Sequence, residues 1–229
     1  MLGLRPATDL SRRLPRLLLG LVLGGVGIAG MVRSDLGLPP WSVLDHGINI
    51  HTGIPIGTVS ILVGAVVLAT WLLLRERPGL GTVCNIIVIG LVTDLTLWLI
   101  PETDDMALRV TYLLVGVFIW GPGSGLYIGA GLGPGPRDGL MTGLAARDVG
   151  SVRVVRTGLE VTALAVGWLL GGSVGIGTLA FALTIGPNVQ FFLERLTYRP
   201  AGSTPPEPGL SAGPEPEPVA DLEPAPAPL

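Results

Sequence analysis

The chain contains no lysine: all 14 of its basic residues are arginines. It has one cysteine and two histidines, and charged residues make up 14% of its 229 positions. A soluble domain carries about a quarter charged residues, so an ordinary water-exposed surface is excluded. The single cysteine, Cys84, excludes an intrachain disulfide. Its place inside an apolar run marks it as a small buried hydrophobe rather than a reactive thiol. His46 and His51 stand beside Asp45 without further His or Cys, which is not a metal-ligand pattern. No metal and no cofactor is expected. The net charge of −3, with no basic stripe, excludes a nucleic-acid binder. No Walker loop, dinucleotide fingerprint or nucleophile–base constellation occurs, so the chain does not read as an enzyme. Basic residues that are all arginine, with 35 Gly and 21 Pro, point to a GC-rich bacterial genome.

What remains is apolar. Hydrophobic residues make up 48% of the chain and the mean hydropathy is +0.64. Runs near the 17–25 residues needed to cross hydrocarbon fall at 17–32, 56–74, 83–100, 110–128, 152–170 and 174–193. Arg12, Arg13 and Arg16 ahead of the first run resemble a signal peptide, and Ser11-Arg12-Arg13 a twin-arginine signal. The first run matches a later one, however, and reads as a retained helix. The expected class is an all-α membrane protein of about six transmembrane helices. The fifth and sixth spans are the least secure, because Arg153, Arg156 and Glu160 open the fifth and only Gly171-Gly172-Ser173 separates it from the sixth.

Arginine-rich segments stay in the cytoplasm. With the N-terminus inside, six spans place Arg5, Arg12, Arg13, Arg16, Arg75, Arg77, Arg137, Arg147, Arg153, Arg156, Arg195 and Arg199 in cytoplasmic segments. Only Arg33 and Arg109 lie outside. A five-span count would instead put the tail outside. The expected location is the bacterial plasma membrane, with both termini cytoplasmic and the lipid bilayer as the main partner. The divisions are a cytoplasmic segment 1–16, a three-helix unit 17–100, an outer acidic loop 101–109, a second unit 110–196 and a tail 197–229. The tail is rich in Pro, Glu and Ala and reads as disordered.

The two units are copies. Residues 17–98 overlay residues 113–194 at an offset of 96 without a gap, with 21 identities over 82 pairs. Composition alone would supply about a third of those. Leu36, Gly37 and Pro40 meet Leu132, Gly133 and Pro136, and Gly79-Leu80-Gly81-Thr82 meets Gly175-Ile176-Gly177-Thr178. Three spans per unit is an odd number, so the second copy enters the membrane from the opposite side. Inverted repeats of this kind are common in secondary transporters.

Gly133-Pro134-Gly135-Pro136-Arg137-Asp138-Gly139-Leu140-Met141, followed by Arg156-Thr157, Glu160 and Gly175-Ile176-Gly177-Thr178, resembles the YczE-type bacterial membrane proteins of the broader YitT-like group. Pro40-Trp41-Ser42-Val43-Leu44 and Pro78-Gly79-Leu80-Gly81-Thr82 carry the likeness in the first half, and it covers residues 12–197. The resemblance implies a membrane location and this architecture, and it supplies no catalytic residues.

Candidate substrate contacts are Pro136, Arg137, Asp138, Arg156, Glu160, Ser42, Asp94 and Gln190. Each Gly/Pro loop leads into a short helix, either interfacial or re-entrant. Ser42 and Asp138 are of capping type, and helix N-termini offer free N–H groups to an anion. Arg156 and Glu160 stand four apart on one helical face and suit an ion pair. A deep carboxylate such as Glu160 or Asp94 is costly unless it is paired or faces a cavity. Asp94 and Gln190 are equivalent positions in the two units. Two functions fit: a small secondary transporter of an anionic or zwitterionic solute, or a non-transporting accessory protein serving a biosynthetic or secretion partner. A polar cavity lined by the acids favours the first, and a solid glycine-packed centre favours the second.

Overall fold

A computed structural model describes residues 10–198 except 75 and 148. The tail beyond 198, expected to be disordered, and the first nine residues lie outside the described residues. Among the described residues there are eight helices and no strands. They are α1 (Leu10–Ser34), α2 (Pro40–Thr52), α3 (Ile56–Leu73), α4 (Leu80–Leu99), α5 (Met106–Gly129), α6 (Pro136–Ala145), α7 (Val152–Leu169) and α8 (Ile176–Leu196). The first helix starts at Leu10, ahead of the apolar run at 17, so Arg12, Arg13 and Arg16 are helical.

Local chemistry sets the boundaries. Pro40 and Pro136 open α2 and α6 at the first helical position, where a missing N–H is harmless. The Thr82 hydroxyl accepts from the Gly79 N–H at 3.2 Å at the start of α4, and Thr178 does the same for Gly175 at the start of α8. Asp105 caps α5 by accepting from the Ala107 N–H at 2.8 Å. The C-terminal end of α2 closes on Gly53 at φ 70°, whose N–H reaches the Asn49 carbonyl.

Packing follows the glycines. The helices α1 and α5 cross at the centre in opposite directions: Gly20 lies against the backbone of Gly123, and Gly27 against that of Gly116. Side chains at these places would collide with the facing backbone, so the two helices meet closely as small-residue membrane crossings do. Gly116 and Gly123 are the counterparts of Gly20 and Gly27 at the 96-residue offset, so the two contacts exchange with each other. The same exchange holds for two backbone bonds, Gly177 N–H to Leu36 O at 2.7 Å and Gly81 N–H to Leu132 O at 2.8 Å. It holds for whole elements too, since α4 packs on α1 and α8 on α5, while α2 packs on α7 and α3 on α6.

One pair breaks the pattern. The helix α3 packs along α4, whereas α7 lies on α2 and α6 rather than along α8.

Among the described residues four helices, α1, α4, α5 and α8, suffice by length and composition to cross a membrane. A fifth span results if α2 and α3, bent by 115°, are taken as one. Arg153, Arg156 and Glu160 in the first half of α7 keep that helix out of this count.

Candidate functional site: a cavity where two short helices meet

The short helices α2 and α6 are brought tip to tip. The Trp71 indole N–H on α3 donates to the Pro136 carbonyl at 3.0 Å, and the Thr82 hydroxyl on α4 donates to the Pro134 carbonyl at 2.7 Å, which fixes the start of α6. The start of α2 is tied by the Leu38 N–H to the Ser173 carbonyl at 3.2 Å. The counterpart residues Trp41 and Arg137 then meet, with the guanidinium 4.7 Å from the indole ring centroid. Asp45, one turn further along α2, brings a carboxylate oxygen to 3.6 Å from the guanidinium. That is an ion pair but too long for a hydrogen bond. Among the described residues the Trp41 indole N–H and the second Asp45 oxygen have no hydrogen-bond partner. Opposite, the Tyr127 hydroxyl on α5 donates to Asp138 at 2.9 Å.

Of these groups Trp41, Tyr127, Arg137 and Asp138 border a cavity of about 410 Å³, and Asp45 stands behind Arg137. Ser42, Pro136, Arg137, Asp138, Arg156, Glu160 and Gln190 all line it. Glycines of α1, α5 and α8 with Ile28, Trp120 and Phe181 supply an apolar wall. Arg156 donates to Glu160 at 3.0 Å across one turn of α7, and Gln190 donates to Glu194 at 3.3 Å. Small polar side chains Ser60, Asn85 and Ser124 complete the lining. A mostly apolar chamber with a few convergent polar groups is the usual form of a small-molecule site.

Two expectations change. Ser42 and Asp138 do not cap: Pro40 and Pro136 take the first helical position, so the caps are Pro39 and Gly135, neither with a side-chain bond. Both residues sit two places further on, facing the cavity. Asp94 does not line this cavity. Its carboxylate accepts the Gly57 N–H at 2.6 Å, the Thr58 N–H at 2.8 Å and the Thr58 hydroxyl at 2.7 Å, tying α4 to the start of α3. It borders a second cavity of about 770 Å³, which also holds Arg33, Arg109, His46 and Glu102. His46 accepts from the Ser173 N–H at 3.2 Å.

Sequence reasoning missed Tyr127, Asn85 and Asp45 as groups at or beside the site. Asp45 sits three residues after Ser42, on the same face of α2, and that helical spacing was the available signal. Tyr127 carried none, since its role depends on α6 folding back against α5.

Three relatives are similar to this chain over most of their length. An uncharacterized protein of Haemophilus influenzae is 43% identical over 184 residues, 80% of this chain and 84% of the relative. The uncharacterized membrane protein YczE of Bacillus subtilis is 32% identical, over 77% of this chain and 83% of its own. The uncharacterized protein YyaS of the same organism is 25% identical, over 76% and 89%. No solved structure matches. A family model described as a family of unknown function, DUF6198, matches residues 11–194. The resemblance to YczE-type proteins is thus a family relationship, and the chain is a helical integral membrane protein belonging to DUF6198.

Proposed function

We propose that this protein is a small secondary transporter of the bacterial plasma membrane, moving a small anionic or zwitterionic solute through the central cavity. The observation that carries the reading is Arg137. Its guanidinium sits at the tip-to-tip meeting of α2 and α6 and borders the cavity, and among the described residues its one ion pair is the 3.6 Å contact to Asp45. A partly buried guanidinium gains from a partner that satisfies its donors, and a carboxylate or phosphate group fits it in bidentate fashion. The free N–H groups at the starts of α2 and α6 point the same way. Asp138 and Glu160 on the same wall suit a basic group on the solute, or a coupled proton.

Two opposed copies of a three-helix unit supply the scaffold on this reading. The paired contacts at the 96-residue offset support it, as does the arginine distribution, which fits both termini in the cytoplasm. Short helices whose ends meet inside such a scaffold are the usual place for a transported solute.

The test is uptake into liposomes holding the purified protein, against a panel of small carboxylates, amino acids and phosphate esters. Arg137→Gln should lower uptake or binding of the accepted solute about tenfold to a hundredfold, the equivalent of about 1.5–3 kcal/mol for a hydrogen bond to a charged group. Glu160→Gln and Asp138→Asn should alter the rate and its pH profile. If no solute on the panel is bound or moved, the accessory-protein reading takes its place.

A further inference from the structure

We infer that Asp94 is the latch of a gate between the two cavities, and that the structure is closed at that gate and open between α7 and α8. The inference rests on the transport reading and adds which side of the pathway is shut.

Along α3 and α4 the central cavity is bordered by Ser60, Gly64, Ile86 and Ile89. The second cavity is bordered by Ile56, Asp94 and Leu97 on the same two helices. Between these levels the helices touch. Gly57 and Gly90 approach backbone to backbone, and Ile61 fills the space beside Gly90. Asp94 closes the contact through its three hydrogen bonds to Gly57 and Thr58. A carboxylate accepting backbone N–H groups at a helix start is a strong tie.

The counterpart contact is absent. Gly57, Thr58, Ile61 and Asp94 correspond to Arg153, Val154, Thr157 and Gln190, a set that cannot form this tie. Gly186, the counterpart of Gly90, has nothing within 4 Å of the place a side chain would take. Gln190 turns along its own helix to Glu194. Arg156, Glu160, Gly186 and Gln190 therefore line an opening where the first half has a seal. With the N-terminus in the cytoplasm, the seal faces outward and the opening inward. Breaking the Asp94 tie while α7 closes on α8 is the motion that would expose the cavity to the other side.

Distances between spin labels test this in the full chain, with Cys84→Ala and no solute added, so that the outcome is independent of whether a solute is ever found. One pair is Leu62→Cys with Leu95→Cys, both side chains exposed. The other is its counterpart, Gly158→Cys with Phe191→Cys. The first pair should be close and narrowly distributed, the second longer and broader. Asp94→Ala and the milder Asp94→Asn should lengthen the first pair by about 5 Å, on the order of one helical pitch. Grafting the latch as Arg153→Gly, Val154→Thr and Gln190→Asp should shorten the second pair. Unchanged distances in the first pair for both Asp94 variants would overturn the inference. So would a graft that leaves the second pair as it was.

Discussion

Arg33 donates to the Leu97 and Ile100 carbonyls at the end of α4, the latter at 2.8 Å. Arg109 donates to Ser34 at 2.8 Å and Asp35 at 3.0 Å at the end of α1. Arg13 reaches the Ala130 and Gly131 carbonyls after α5, and Arg147 the Leu74 carbonyl after α3. Each guanidinium meets the orphan carbonyls and negative pole of a helix end with a planar fork of donors. An ammonium group is a point donor and could not bridge two carbonyls so well, which gives the missing lysines a structural counterpart. Size is matched residue by residue as well. The Trp71 ring occupies the place where a side chain on Gly139 would be, and the counterpart interface reverses the sizes, with Gly167 against the backbone of Val43 and Leu44. Gly139→Val should therefore lower the unfolding temperature in detergent, with about 1–3 kcal/mol of overpacking. Adding Trp71→Gly rebuilds the pairing found at the other interface, so the double variant should be less destabilised than the two single losses combined. Strict additivity in a thermal-unfolding cycle would contradict this.

At the scale of elements, α5 shows how a membrane helix tolerates a proline. Pro122 cannot donate to the carbonyl four residues back, that of Phe118. The Asn188 side chain on α8 supplies the missing donor at 3.2 Å and also reaches the Val117 carbonyl at 3.0 Å. The flanking Gly121 and Gly123 let Asn188 on one side and Gly20 on the other come close. Asn188→Leu should cost about 1–3 kcal/mol, as expected for an unpaired carbonyl in an apolar setting. The loss should shrink in a Pro122→Ala background, where the helix satisfies Phe118 itself. An equal loss in both backgrounds, measured by thermal unfolding, would contradict the assignment. Helix positions were largely legible in the sequence, because apolar runs and Pro/Gly punctuation are local signals. The site was legible only in part. Seven of the eight candidate contacts share the cavity, since the repeat and the loop composition flagged them. Asp94 lies apart from them, held by the Gly57 and Thr58 N–H groups and the Thr58 hydroxyl, and its two backbone partners leave no trace in residue types. The meeting of Arg137 with Trp41 depends on two loops folding toward one another, and no local pattern reports that.

For the whole molecule, the equivalence of the halves is strong in the scaffold and weak in the chemistry. The central crossing, the two exchanged backbone bonds and the paired helix contacts repeat. The charges do not: Ser42 faces Asp138, Gly64 faces Glu160 and Ser60 faces Arg156 across the offset. On the transport proposal, a shared scaffold permits two alternative packings of similar energy, while unlike side chains decide which half is sealed.

The crossing of α1 and α5 has a consequence for assembly. Contacts that exchange in this way are those of a two-fold dimer, and here the two partners are joined only by the short stretch between Leu99 and Met106. On the proposed topology each half also carries its own arginine asymmetry, with Arg33 the lone outer arginine of one and Arg109 of the other. Neither the mutual recognition of the halves nor their insertion direction then needs the covalent link. Two fragments divided at residue 103 and expressed together should find one another in the membrane and co-purify. Gly20→Leu or Gly123→Leu should abolish that association by filling the crossing. Fragments that never associate would mean that the link, rather than the crossing, holds the molecule together.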